Sequence, residues 1–263
     1  MPIESPFPQR SIDALDYQDI AQPIGAMAKN YGDGDRIPPH SHKRHQVLFA
    51  ASGVMRLGTE RAAWVVPPDR AAYIPAGTVH TVEMHGPVEI RTLYIDDRAT
   101  SVRFSTVSVL PVTALLRELI LQLSAEPIDY APGSRGARLA DLIAFELRRA
   151  EALPLSVPLP RDPRLQRVCA GVIAAPDDRR SLEAWAENAG ASPRTLARLF
   201  QREFGLTFNR WRQQARFQAA LADLARGDDV GRVAARHGYR SPSAFSAAFA
   251  KVMGAPPTRF PAQ

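Results

Sequence analysis

One segment of the C-terminal half occurs twice, as SPRTLARLFQREFG (192–205) and SPSAFSAAFAKVMG (241–254), at a constant offset of 49 residues. Each copy opens with serine and proline, the residue types preferred at a helix N-cap and first helical position. Each copy also closes with a glycine suited to stopping a helix. A shorter helical pattern and a glycine-containing turn precede each copy, at 181–190 and 229–239. The repeat therefore predicts two helix-turn-helix units.

The segment between the two copies predicts a single connecting helix over Phe208–Ala225, because Phe217 is followed by apolar residues at i+3, i+4 and i+7. Such a helix is about 27 Å long. A rigid connector of that length can hold two recognition helices roughly one DNA turn, about 34 Å, apart on one face of a duplex.

The second helix of the first unit has an outward face rich in arginine. Two arginines one turn apart near a helix N-terminus suit recognition of guanine in the major groove. The alternative is an αα-hairpin whose arginines only solubilise an exposed face. The residues predicted to face DNA in this unit are Arg194, Ala197, Arg198, Gln201 and Arg202.

Positive charge is concentrated in the same half of the chain. Residues 161–263 contain 17 Lys and Arg against 9 Asp and Glu, whereas the whole chain has a net charge of +6. A basic domain next to a nearly neutral one is typical of a module that binds a polyanion. A generic basic surface is the alternative explanation.

The last hundred residues resemble the AraC/XylS family of bacterial transcription regulators. The resemblance rests on GY-x-S-x-S-x-F followed by F-x-x-x-x-G-x-x-P, from Gly238 to Pro257. It implies that the partner is a double-stranded DNA operator, with RNA polymerase as a further partner if the protein is an activator. The base-contacting positions of the family fall on Arg194, Ala197 and Arg198, then on Ser243, Ser246 and Ala247.

The second recognition helix departs from the family pattern, because its outward face carries small side chains rather than a long forked donor. We therefore expect the first unit to supply most of the sequence discrimination. The second unit would mainly hold phosphate through its helix N-terminus together with Ser241, Ser243 and Lys251.

The N-terminal half predicts strands instead of helices. Short β-type segments separated by Gly, Pro, Asp and Ser fill residues 46–109 and indicate a small antiparallel barrel or sandwich. A helical pair follows at 111–122 and 138–149, and then a proline-rich linker at 153–163. The predicted fold class is α+β multidomain: a cupin-like β-barrel (1–110), the helical pair and linker (111–160), and an all-α domain with two helix-turn-helix units (161–263).

Three histidines and a glutamine form the pattern H-x-H-x3-Q followed later by PAGTVH. If the first two histidines lie on a strand, they point to the same face, and the third could close a site with them inside the barrel. Imidazole and amide ligands suit a divalent transition metal. Alternatively, these side chains form hydrogen bonds at the barrel mouth or contact an effector. The candidate ligands are His40, His42, Gln46 and His80.

These patterns resemble the two motifs of the cupin family, with Gln46 in place of the usual Glu and Met84 in place of an Asn. The region is also similar to the cupin-type effector domain of some AraC-like regulators, which implies a small-molecule effector. Trp64 and Tyr73 could line its pocket, although such aromatics are more often core residues.

Two classes of function follow from these motifs. We expect a sequence-specific DNA-binding transcription regulator that responds to an effector in the barrel, and not an enzyme. The alternative is a metal-dependent cupin enzyme with an accessory helical domain, which would need an acid/base group that the sequence does not offer beyond the histidines. The leucine stripes of the helical pair could join two subunits into a homodimer or pack on their own barrel.

Composition limits the remaining possibilities. Apolar residues make up 45% and charged residues 23%, which excludes wholesale disorder. No apolar run is long enough to cross a bilayer, and residues 1–10 lack the pattern of a signal peptide. The single cysteine, Cys169, cannot form an internal disulfide. These features predict a soluble cytoplasmic protein without a membrane partner. The AraC/XylS resemblance implies in addition that the protein is bacterial and is associated with the nucleoid when bound to DNA.

Overall fold

The computed structural model describes residues 11–68, 70–98, 104–153 and 156–259 of the 263-residue chain. The N-terminal part is an antiparallel sheet, and a helical region follows, as predicted from the sequence. The strands are β1 (Ile24–Tyr31), β2 (Arg36–His40), β3 (His45–Gly58), β4 (Ala62–Val66), β5 (Arg70–Ile74), β6 (His80–Ile95), β7 (Ser108–Pro111) and β8 (Val157–Pro158). The helices are α1 (Ala114–Leu123), α2 (Arg135–Arg149), α3 (Pro163–Ala174), α4 (Leu182–Ala189), α5 (Pro193–Phe204), α6 (Phe208–Ala225), α7 (Val230–Arg236) and α8 (Pro242–Met253).

Two long strands, β3 and β6, form the centre of the sheet. They pair with each other, β6 also pairs with β1 and β2, and β3 also pairs with β4 and β5. The sequence predicts two separate segments where β3 runs without a break, because the bend at Gly53 resembles a turn. In the structure this bend is an irregularity in the β3–β6 register between Ala50 and Val54. Gly53 has a φ of +77° there.

The alternation of side chains along β3 divides the barrel into two packed faces. Val47 and Phe49 contact the apolar faces of α1 and α2, whereas Leu48 and Ala50 belong to the opposite cluster. The helical pair therefore packs on its own barrel through its buried residues. Tyr130 ties the pair further, since its hydroxyl donates to the Ile24 carbonyl at 2.9 Å.

The proline-rich segment is a structural part of both halves rather than a free connector. Its short strand β8 pairs with Ala62 and Ala63 of β4, and Trp211 of α6 donates its indole N–H to the Pro158 carbonyl at 3.0 Å. Pro154 and Leu155, within the same segment, lie outside the described residues.

The barrel and the second helix-turn-helix unit share one hydrophobic cluster. Leu48, Val82 and Ile90 of the barrel belong to the same contiguous set as Phe217 and Leu221 of α6. The side-chain oxygen of Gln218 also accepts a hydrogen bond from the backbone N–H of Val65. Within the described ranges, no helix combines the length and the apolar character needed to span a membrane.

Candidate functional site

Helix α5 is built as the sequence predicts for a recognition helix. The Ser192 side chain accepts a hydrogen bond from the Thr195 N–H, Pro193 occupies the first helical position, and Gly205 ends the helix in the left-handed conformation at φ +65°. Leu196, Leu199 and Phe200 are buried in the core of the first unit. Caps at both ends and a buried stripe fix which side of the helix faces solvent. All five residues predicted to face DNA are exposed: Arg194, Ala197, Arg198, Gln201 and Arg202.

Helix α8 repeats the design with smaller outward side chains. The Ser241 hydroxyl caps the helix by accepting from the Ala244 N–H at 3.2 Å, and it lies 3.2 Å from the Ser243 hydroxyl. Phe245 and Phe249 point into the core. Of the predicted contact residues, Ser243, Ala247 and Lys251 are exposed, whereas Ser241 and Ser246 are half-buried.

The connecting helix α6 has the bounds predicted from the sequence and is firmly packed. Trp211, Phe217 and Leu221 are fully buried. Its N-cap is Thr207, whose side chain accepts from the Arg210 N–H. Because 18 residues at 1.5 Å each span about 27 Å, the two units are joined by a rigid rod.

The barrel contains a partly open cavity of about 460 Å³. Apolar side chains form much of its wall, and polar groups gather at one part of it. Besides His40, His42 and Gln46, its lining includes Met27, Lys29, Tyr31, Leu48, Thr92 and Tyr94. An apolar pocket with a few convergent polar groups is the usual form of a small-molecule site.

The three predicted histidines come together beside this cavity, which His40 and His42 line directly. The rings of His40 and His80 are 4.2 Å apart between centroids, those of His40 and His42 are 4.8 Å apart, and one ligand atom from each histidine lies within 4.8 Å of the others. The expectation that the first two share a strand is wrong. His40 ends β2, and His42 lies in the connection to β3, where the bend of the chain brings its ring back towards the others.

Hydrogen bonding orients two of the imidazoles. Nδ1 of His40 contacts the Pro38 carbonyl at 2.8 Å, and Nδ1 of His80 contacts the Thr78 carbonyl at 2.9 Å. Donation from Nδ1 leaves Nε2 as the free lone pair, which is the arrangement of metal-binding histidines. Among the described residues, Nε2 of His42 and of His80 is buried without a hydrogen-bond partner.

The histidine cluster favours neutral imidazole. Burial, aided by the neighbouring His40, lowers the pKa of His42 to about 4. Burial likewise lowers the pKa of His80 to about 4. A neutral imidazole is the form that binds a metal ion or accepts a hydrogen bond from a ligand. The side-chain oxygen of Gln46 is also buried and lacks a partner in the described part of the chain.

The two aromatic residues predicted to line the effector pocket do not line the cavity that contains His40, His42 and Gln46. Tyr73 is fully buried against the outer face of the sheet, where its ring stacks on His45 at 5.4 Å. Burial raises its pKa to about 12. Trp64 lines a different cavity, of about 240 Å³, between β4 and α6.

Several cavity residues escape the sequence analysis. Lys29 and Tyr31 come from β1, which the strand pattern did not include, and the Lys29 ammonium lies 5.3 Å from the Tyr31 ring centroid. Tyr94 and Thr92 come from the second half of β6, outside the histidine motifs, although His80 begins the same strand. The alternation in IGAMAKNY is a strand signal that could have identified β1.

A barrel with a polar-lined cavity, joined to two capped helix-turn-helix units, defines a ligand-binding and DNA-binding protein. The family of AraC-like ligand binding domains matches residues 26–147, and a helix-turn-helix domain family matches residues 185–263. The chain is 33% identical over 223 residues to the HTH-type transcriptional regulator NimR of Escherichia coli, covering 85% of this chain and 81% of that protein. The chain belongs to the AraC family of transcriptional regulators.

Two further similarities are more limited. The HTH-type transcriptional regulator RipA of Corynebacterium glutamicum is 35% identical over 103 residues, which cover 39% of this chain and 31% of that protein. The chain is also similar to the crystal structure of an apo ToxT variant from Vibrio cholerae. The alignment covers 92% of this chain and 97% of the ToxT chain, with 9% identity and a TM-score of 0.40.

Proposed function

We propose that an effector in the barrel cavity changes how the two helix-turn-helix units fit their operator. The observation that carries this proposal is the single hydrophobic cluster that joins the cavity wall to α6 and α8. Leu48 touches both the cavity and this cluster. Suppose that the cluster packs in two ways, each with its own arrangement of the DNA-binding region. An effector that binds the protein more tightly in one of these two states would shift the population towards that state.

The effector site consists of the cavity polar groups rather than Trp64 and Tyr73. The buried Gln46 oxygen and the Nε2 atoms of His42 and His80 require a donor or a cation that the described residues do not supply. The Lys29 ammonium at the same cavity adds a positive charge for an anionic or electron-rich effector.

A divalent transition metal fits the histidine cluster as a second occupant. His40, His42 and His80 would hold it, and Gln46 could add an oxygen, while the metal would supply a Lewis-acidic anchor for an effector. The neutral Gln contributes less to holding a dication than the carboxylate common in cupins. Metal analysis of the purified protein beside His42→Ala tests the site, and equal metal content in both would refute it.

Recognition of bases is assigned mainly to α5. Arg194 and Arg198 are exposed one turn apart, while α8 presents Ser243 and Lys251 for phosphate contacts. Replacing Arg198 by Ala should weaken binding by about 1–3 kcal/mol at its target base pair and relax selectivity there. Selection of bound sequences from a random pool checks this, and an unchanged preference would refute the assignment.

A homodimer is proposed through the outer face of the helical pair. Leu115, Leu142 and Phe145 are 53%, 49% and 48% exposed, which leaves an apolar surface after the buried leucines have packed on the barrel. Light scattering at micromolar concentration tests the proposal. Phe145→Ser should shift a dimer towards monomer, and a wild-type protein that is already monomeric would refute it.

The domain bounds 1–110, 111–160 and 161–263 remain a proposal. We also propose a cytoplasmic protein that associates with the nucleoid through DNA, contacts RNA polymerase if it activates, and has no enzymatic activity. Membership in a family of regulators supports this over the cupin-enzyme alternative.

Recovery of genomic fragments by the purified protein at two salt concentrations is the first test. Specific fragments that survive moderate salt support a regulator. Binding that disappears uniformly with salt would indicate only non-specific affinity for a polyanion.

A further inference from the structure

A second polar pocket lies on the first half of α6, outside both recognition helices. It has a volume of about 360 Å³. We call it the seam pocket, and its lining residues are Asn209, Arg210, Arg212, Gln213, Arg216 and Tyr239. Three arginines converge there on one helix surface.

The seam pocket borders both helix-turn-helix units. Arg212 donates to the Arg180 carbonyl at 2.8 Å, immediately before Ser181, which is the N-cap of α4. Tyr239 lies in the turn that leads into α8, two residues before its N-cap Ser241. The pocket therefore touches the start of the first helix of one unit and the turn of the other.

The segment before α4 holds these two parts in contact. Arg179 donates to the Gly238 carbonyl at 3.0 Å, and Arg216 donates to the Asp178 carbonyl at 2.5 Å. A Cβ atom at Gly238 would lie 3.2 Å from the Asp177 carbonyl oxygen, so the turn packs directly on this segment. These contacts hold the backbone around the seam pocket in place, so the pocket does not depend on the positions of mobile side chains alone.

Positive charge at the seam pocket exceeds the negative charge that faces it. Asp178 is committed to an ion pair with Arg180 at 2.6 Å, and this pair lowers the pKa of Asp178. Arg210 is exposed, and no hydrogen bond or ion pair of its side chain occurs among the described residues. Nε of Arg216 is buried and has no partner in that same part of the chain. These donors are available to an anion.

We propose that the seam pocket binds a backbone phosphate of the DNA strand that crosses between the two major-groove sites. The proposal rests on DNA binding by both units. When two recognition helices enter successive turns of a groove, the intervening backbone passes the junction of the units, and the first helix of such a unit normally crosses the backbone. The planar guanidinium matches the geometry of a phosphate group.

The salt dependence of DNA affinity tests the seam pocket, with a fragment recovered by the wild-type protein as the probe. Arg210→Gln should reduce the slope of log K against log salt by about 0.9 for the lost phosphate contact. Between 50 and 200 mM salt the advantage of wild type over the variant should therefore shrink by about 3.5-fold. The set of selected sequences should stay unchanged, because a phosphate contact carries no base information.

Two matched variants separate a contact from a general charge effect. Arg210→Lys keeps the positive charge and should retain most of the wild-type slope. Arg138→Gln makes the same change in net charge at an exposed position of α2 and should leave the slope unaltered. A wild-type slope for Arg210→Gln, or an equal loss in Arg138→Gln, would overturn the proposal. A wild-type protein that binds no specific fragment would instead refute the proposed function.

Discussion

Replacing Gly53 by alanine should destabilise the barrel far more than the same change at Gly34. Both glycines have left-handed backbone conformations, with φ of +77° and +76°. They differ in their surroundings. A Cβ atom at Gly53 would lie 2.2 Å from the Pro87 carbonyl oxygen and 2.9 Å from a methyl group of Val88, whereas nothing lies within 4 Å of a Cβ atom at Gly34.

The structure gives the two costs separately. The left-handed conformation costs a residue with a Cβ about 1–2 kcal/mol, and this term applies to both positions. The contact at Gly53 falls more than 1 Å short of ordinary van der Waals separation, and its partner is backbone that cannot rotate away. Forcing apart a packed pair of strands costs about 1–3 kcal/mol more. We expect losses of about 2–5 kcal/mol for Gly53→Ala and about 1–2 kcal/mol for Gly34→Ala.

Urea unfolding followed by far-ultraviolet circular dichroism measures both variants. The difference between the two losses of unfolding free energy cancels the cost of the left-handed backbone, which both variants share, and leaves the cost of the close contact at Gly53. Equal losses in unfolding free energy would refute the reasoning, because the close approach of β3 to β6 at Gly53 would then have no energetic weight. A smaller loss of unfolding free energy for Gly34→Ala than for Gly53→Ala would show that the close contact at the bend in β3 sets the cost, and not the loss of a glycine in itself.

Three further predictions concern buried groups. Because the pKa values of His42 and His80 are lowered to about 4, the unfolded state takes up protons first as pH falls. The contribution of these two histidines to the unfolding free energy should therefore be constant well above pH 6.5 and decrease from there towards pH 4 by up to about 1.4 kcal/mol per pH unit per histidine. A double variant, His42→Asn with His80→Asn, that keeps the wild-type slope would contradict this. Trp211→Phe should cost about 1 kcal/mol more in thermal unfolding than Trp185→Phe, since the first indole donates to the β8 carbonyl and the second has no partner among the described residues; equal losses would count against that bond. Burial raises the pKa of Cys169, so a thiol reagent should label it only on unfolding, and rapid labelling of the native protein would disprove its burial.

The helices of the DNA-binding region could be predicted closely because their signals are local. Ser192 and Ser241 cap within three residues of themselves, and Gly205 and Gly254 end the helices where a left-handed residue is needed. The bounds of α6 were predicted without error. No long-range contact was needed for any of these inferences, since caps, prolines and apolar spacing lie within the element that they define.

The candidate site could be predicted only where its residues lie in a motif. His40, His42 and His80 could be identified because they lie in two short motifs, H-x-H-x3-Q and PAGTVH, and the structure brings their rings together. Lys29 and Tyr94 could not be assigned to the same cavity, because their meeting depends on the register of β1 against β6. Strand pairing of this kind joins residues more than sixty positions apart, and the sequence around each residue does not indicate which partner it pairs with.

The proline-rich segment, predicted from the sequence to be a linker between domains, is bonded to both of them in the structure. Prolines correctly exclude a helix, yet they do not exclude an edge strand. Strand β8 pairs with β4 although Pro158 lacks an N–H, and the next residue, Leu159, donates its N–H to the Arg61 carbonyl at 2.8 Å. Trp211 then ties this strand to α6. The segment is therefore bonded both to the barrel and to the connecting helix. The proposed coupling between the effector cavity and the DNA-binding region therefore does not require a flexible hinge. The side chains of the shared hydrophobic cluster, together with Trp211, already connect the barrel to the helices.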